Sequence, residues 1–262
     1  MNLTHMITDG YERKARLYPA LLLIAPGVGT GVALLAPKLS GLQSLAAGVV
    51  GCGGAFLLTQ LARDAGKKHE ASLFSKWGGL PSIIIFRHSD TRIDPITKAR
   101  YHKKLAGLVK EIKAPTPEQE QADPVAADSV YAAWSSYLRV NTRDTKKFAL
   151  LFQENVAYGY RRNVWGLRML GIFVSFFSLV VCCVRLYLIH ALSGRVDEAL
   201  GGAAAFAAIM LLLWLFRFNG DWVRVPANAY AERLAEGTET LGVKVAATRT
   251  RARKATPKSK GQ

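Results

Sequence analysis

Residues 167–216 read LRML-GIFVSFFSLV-VCCVRLYLIH-ALSGRVDEAL-GGAAAFAAIM-LLLWLF. Two hydrophobic runs are joined by the short polar turn Ser193–Glu198. Met169–Val184 holds 16 uncharged residues, flanked by Arg168 and Arg185. With its flanks it predicts a span over about Trp165–Leu188. Ala199–Phe216 is a second run of 18 residues. A helix rising ~1.5 Å per residue needs about 20 apolar residues to cross the hydrocarbon core. The pair therefore predicts a transmembrane hairpin over residues 164–217.

A similar pair lies over residues 18–62. Leu17–Pro37 and Leu39–Ala62 carry no charged residue except Lys38 between them. Pro26 sits inside the first run, and membrane helices tolerate proline where neighbours satisfy the freed carbonyl. Arg13, Lys14 and Arg16 precede this hairpin, and Arg63, Lys67 and Lys68 follow it. By the positive-inside rule both its ends face the cytoplasm. The turn of the other hairpin, with Arg195, Asp197 and Glu198, is balanced enough to face the periplasm. The expected fold class is thus an all-α dominated polytopic membrane protein of four transmembrane helices in two hairpins, with a mainly helical cytoplasmic region. The expected layout is a cytoplasmic segment 1–17, hairpin 18–62, basic cytoplasmic domain 63–163, hairpin 164–217 and cytoplasmic segment 218–262. The expected location is a bacterial inner membrane with both termini cytoplasmic.

The chain of 262 residues carries 35 Lys and Arg against 19 Asp and Glu, a net charge of +16. That excess suits anionic head groups, nucleic acid, or both. The three cysteines, Cys52, Cys182 and Cys183, all lie in apolar runs and read as small buried hydrophobes. No zinc-type or phosphate-loop spacing occurs, and no metal or other cofactor is expected.

Small residues recur at intervals of four: Gly27 and Gly31, then Ala47, Gly51 and Ala55, then Gly201 and Ala205. Such spacing allows close helix approach in lipid, although glycine is also simply commoner in membrane helices. Gly27, Gly31, Gly51 and Gly201 are the candidate packing positions. No acid lies within any of the four runs. That argues against ion-coupled transport, where intramembrane acids are expected. It permits a pore lined by small and hydroxyl groups, with Ser175 and Ser178 among the candidates. Arg185 either snorkels to a head group or lines a pore.

Residues 63–163 hold 18 Lys and Arg against 11 Asp and Glu. Trp77-Gly78-Gly79-Leu80-Pro81 reads as a turn, and Ile83–Phe86 as a short buried strand or a membrane-surface contact. Asp94-Pro95 opens a helix to about Ile112, and Asp123-Pro124 opens another. Lys113–Asp123 reads as a linker. Asp144 caps a helix over Thr145–Tyr160 that is expected to run unbroken into the third span. Trp222–Leu241 reads as a helix after Pro226, and Thr248–Gln262 as a flexible basic tail.

Candidate chemistry is sparse. His88 and Asp90 could form an acid/base pair, but nothing nearby supplies a nucleophile, and a polar turn explains them equally. No enzymatic activity is expected. Lys98, Arg100, Lys103 and Lys104 lie on one predicted helix with Tyr101, and Trp134, Arg139 and Arg143 follow. Cations interleaved with aromatic rings can hold single-stranded nucleic acid. The same pattern also serves a membrane surface with a small aromatic core.

Several stretches resemble a group of bacterial membrane proteins of anti-phage defence, the membrane effectors of the Hailong system. They are Gly10-Tyr11-Glu12-Arg13-Lys14, Thr59-Gln60-Leu61-Ala62-Arg63-Asp64, Trp77-Gly78-Gly79-x-Pro81, Arg87-His88-x-Asp90 and Asn155–Arg162. The resemblance implies a homo-oligomeric inner-membrane ion channel. A partner nucleotidyltransferase would make single-stranded DNA oligomers that hold the channel shut until infection, when opening depolarises the host. The alternative is a non-conducting membrane scaffold that recruits a soluble partner.

Overall fold

The computed structural model describes residues 10–35, 41–109 and 112–242, with side chains 41–53, 55 and 56 excepted. Every regular element among them is a helix. They are α1 (Gly10–Leu35), α2 (Gly41–Trp77), α3 (Pro81–Ile84), α4 (Pro95–Leu108) and α5 (Pro117–Ala122). Then follow α6 (Pro124–Asn141), α7 (Ala149–Gly166), α8 (Arg168–Ser193), α9 (Glu198–Arg217) and α10 (Gly220–Thr240).

Three helices, α1, α8 and α9, are long and apolar enough to cross a membrane. The second expected span falls on α2, where the side chains of its apolar half lie outside the described residues. So do Gly51, the turn at Pro37–Ser40, Lys110 and the basic tail. α8 begins and ends a few residues later than the run expected over Trp165–Leu188.

Several local expectations change. Ile83–Phe86 is not a strand. Pro81 opens the one-turn helix α3, and Ile85 and Phe86 then enter the soluble core. The expected linker contains α5, closed by a capping box between Thr116 and Gln119. Asp94 and Asp123 cap α4 and α6 through the amides of Thr97 and Ala126. α4 ends at Leu108, short of Ile112. Asp144 accepts from the amides of Lys146 and Lys147, but α7 starts only at Ala149. α7 does not pass unbroken into α8. Leu167 interrupts it for one residue.

The soluble core gathers Tyr101, Leu105, Tyr131, Trp134, Leu138, Ala231 and Leu234 from α4, α6 and α10. A second cluster, with Leu23, Ala62, Val164, Leu167, Met210 and Trp214, ties α1, α2, α7 and α9 at the base of the spans. Close helix approach occurs at glycines other than those expected. A Cβ on Gly171 would overlap the Trp214 ring, and one on Gly166 would meet the α2 backbone at Gly66. Gly159 faces Tyr11 and Ala15. Gly31 and Gly201 have nothing within 4 Å of a built Cβ, and Gly27 has only Val174 at 3.7 Å. Spacing of four selects a helix face, but which face meets a neighbour depends on the packing of the whole bundle.

Candidate anion-binding cleft and membrane junction

The cationic helix α4 does not gather its expected nucleic-acid residues on one open face. Its basic residues look alike in sequence but are spent on different partners. Lys98 is 4% exposed. Its Nζ donates to the Arg87 carbonyl at 2.7 Å and to the Asp90 carbonyl, closing the turn after α3. Burial lowers its pKa, opposed by Asp90 and Glu120. Tyr101 and Trp134 belong to the core, and Trp134 stacks edge-on against Phe86. Neither ring can hold a base. Arg100 pairs with Glu239 at 2.6 Å, and Lys104 Nζ donates to the Glu239 carbonyl at 2.9 Å. Both therefore fasten α4 to the end of α10. Lys103 stays exposed and makes no ion pair among the described residues.

His88 and Asp90 form no acid/base pair. His88 Nε2 lies 2.9 Å from the Pro115 carbonyl, and Asp90 binds Arg92 at 2.9 Å. Glu120, absent from the sequence reading, organises this corner. Its carboxylate accepts from the His88 amide at 2.8 Å and the Tyr131 hydroxyl at 2.7 Å. Burial pushes its pKa up, but the Tyr131, His88 and Ser89 donors prevail and hold it below the usual range. Only tertiary contact could reveal a role for a glutamate in so polar a segment.

Arg139 and Arg143 keep the expected role open. They lie at the C-terminal end of α6 and just beyond it, both exposed. Among the described residues neither forms an ion pair. Together with Thr142, Thr145, Asn155 and Tyr230 they line a cleft of about 250 Å³ between α6, α7 and α10. Two guanidiniums with hydroxyl and amide groups suit a phosphate-bearing ligand. The floor comes from Leu151, Phe152 and Asn155, all on α7.

The other end of α7 leads into α8, one of the three helices long and apolar enough to cross a membrane. There the segment 161–168 repairs irregularities in three neighbouring helices. α1 contains a π-helical turn, Arg13–Leu17, and Asn163 Nδ2 donates to the Ala15 carbonyl within it at 2.7 Å. α9 ends in a second π-helical turn, Leu213–Arg217, where Arg168 donates to the carbonyls of Trp214 and Leu215 at 3.0 and 2.8 Å. α10 contains Pro226, which has no N–H to give the carbonyl four residues back. That carbonyl belongs to Trp222, and Arg161 Nη1 donates to it at 2.9 Å. Arg162 meets Glu70 of α2 at 3.1 Å, and the Tyr158 hydroxyl donates to the same carboxylate at 2.5 Å. Arg161 and Arg217 both lie over the Trp222 ring, at 5.1 and 5.3 Å. Burial, then the nearby Arg217, lowers the Arg161 pKa.

The pore candidates divide. Ser175 and Ser178 are buried between helices, and Ser175 Oγ has no hydrogen-bond partner among the described residues. Thr30 Oγ1 and Cys182 Sγ approach to 3.4 Å beside them. Cys183 is exposed, against the expectation of burial. Arg185 lies on the outer surface of α8, near Tyr187 and Val184. No group of His, Cys, Asp and Glu suited to a metal occurs among the described residues. Set against family models, curated proteins and solved structures, the chain matches none.

Proposed function

We propose that this protein is an oligomeric ion channel of a bacterial inner membrane, gated from the cytoplasm by an anionic nucleotide or single-stranded DNA oligomer. It would act as an effector of anti-phage defence, with a nucleotidyltransferase supplying the oligomer. Four spans in two hairpins place both termini and residues 63–163 in the cytoplasm. One observation carries this reading. The Arg139–Arg143 cleft has its floor on α7, and α7 leads through Leu167 into the span α8. A ligand seated there touches the helix that is joined through Leu167 to the one that enters the membrane. It can shift the gate only by binding one state better than the other.

Oligomerisation would use part of the bare apolar surface of α8. Phe173, Phe176, Phe177, Val180 and Val184 are all exposed on the single chain. Apolar surface alone is satisfied by lipid, so the contact between copies must come from packing. The test is reconstitution of the full chain in liposomes with ion flux measured. Flux that responds to an oligodeoxynucleotide, and loses that response in Arg139→Ala/Arg143→Ala, supports the reading. Absence of flux under every ligand condition replaces the channel with a membrane scaffold.

A further inference from the structure

A second and larger cleft, of about 530 Å³, opens between the N-terminal part of α1 and the middle of α7. We propose that it is a binding site for an anionic phospholipid of the surrounding bilayer, distinct from the Arg139–Arg143 cleft. The proposal rests on the membrane reading but not on channel activity.

Three observations carry it. The first is chemical. The walls are mainly apolar, from Phe152, Val156, Ala157 and Tyr160, while Arg13 and Lys14 also line it and no acid does among the described residues. A free phosphate would use only the two cations and leave the apolar lining wet. An amphiphile with an anionic head satisfies both.

The second is position. Tyr18 also lines the cleft and is 45% exposed. It opens the α-helical stretch of α1 that ends at Leu35. Lys14 lies one helical turn before Tyr18, roughly 6 Å nearer the cytoplasm at ~1.5 Å per residue. That is where lipid phosphates meet a helix leaving the hydrocarbon core, and where a tyrosine commonly sits.

The third is the way the cleft is built. Gly159 lets α7 approach α1 closely, since a Cβ there would stand 3.2 Å from that of Ala15. Asn163 fixes the π-helical turn that holds Arg13 and Lys14. Arg13 and Lys14 among its lining residues favour an anionic head over a zwitterionic one.

The experiment uses the full chain, first tested for carbonate-resistant association with membranes. Solubility at that step overturns the membrane reading itself. The purified protein is then placed in nanodiscs of phosphatidylcholine, with or without phosphatidylglycerol, and retained lipid is read by native mass spectrometry after release. Two surface charges favour an anionic lipid by roughly thirtyfold. Wild type is expected to retain phosphatidylglycerol with about that preference. Arg13→Gln/Lys14→Gln removes the charges, and Ala157→Trp fills the floor without touching them. Each is expected to bring the preference close to one while the melting midpoint in detergent stays near wild type. If Ala157→Trp unfolds, the charge variant decides alone. Unchanged preference in the charge variant overturns the proposal. So does displacement of phosphatidylglycerol by inorganic phosphate, or a dimer that blocks the cleft with no lipid retained.

Discussion

His102 is 4% exposed, and its Nε2 donates to the Phe86 carbonyl at 2.8 Å. Burial, with His88 and Lys98 beside it, holds its pKa down to about 4. In the unfolded chain it titrates near 6.5. Between those values the unfolded state binds a proton that the folded state refuses. Stability is therefore full above pH 6.5 and falls as pH drops toward 4. A shift of this size corresponds to at most about 3 kcal/mol. His102→Gln is expected to flatten this window in thermal melts across pH, at some cost in stability at pH 8. Lys98 is a second test at this scale. Losing a buried donor to two carbonyls costs about 2 kcal/mol. Lys98→Met should lower the melting midpoint accordingly yet leave oligonucleotide binding by the surviving folded protein unchanged. Both residues show why α4 misleads a reader of sequence. Lysine and tyrosine in a polar helix resemble a ligand surface until the chain turns that face inward.

Among elements, the junction of α7 and α8 does most of the structural work. Its side chains donate to backbone carbonyls at two π-helical turns and at one internal proline. An orphaned buried carbonyl costs about 1–3 kcal/mol. Asn163→Leu and Arg168→Leu should each destabilise the detergent-solubilised protein by that amount, whereas Arg185→Leu should not. Helix contacts give a parallel contrast. Gly171→Val drives methyl groups into the Trp214 ring, and overpacking of this kind costs about 1–3 kcal/mol or more. Gly31→Ala and Gly201→Ala meet open space and should melt as wild type. The starts of α4 and α6 at Asp94 and Asp123 were legible in the chain, because caps act over three residues, whereas α10 starts at Gly220 behind the cap Asn219, ahead of the expected Trp222. The break at Leu167 was not, since nothing local marks it.

For the whole molecule, the arrangement makes ligand binding and topology separately measurable. If the Arg139–Arg143 cleft holds a phosphate backbone, Arg139→Ala/Arg143→Ala removes two phosphate contacts. The salt dependence of oligonucleotide binding should then become shallower by about 1.4 in logarithmic slope for a single strand. An unchanged slope would place the ligand elsewhere. Cysteines introduced at Ser193 and at Lys103 should react with a membrane-impermeant reagent from opposite sides of sealed vesicles. Reaction of both from one side would overturn the two-hairpin topology. Hydropathy and charge, which depend only on which residues follow one another, predicted four apolar runs, and three of them are helices long and apolar enough to cross a membrane, while the side chains of the fourth lie outside the described residues. They could not decide which cations meet solvent. Of eight residues expected to bind nucleic acid, Lys98, Tyr101 and Trp134 went to the interior, Arg100 and Lys104 to α10, and Lys103 stayed exposed. Arg139 and Arg143 reached a shared cleft. Burial is settled by distant segments, here α10 closing over α4 and α6. No run of neighbours along the chain encodes that closure, so it emerged only once the helices were packed.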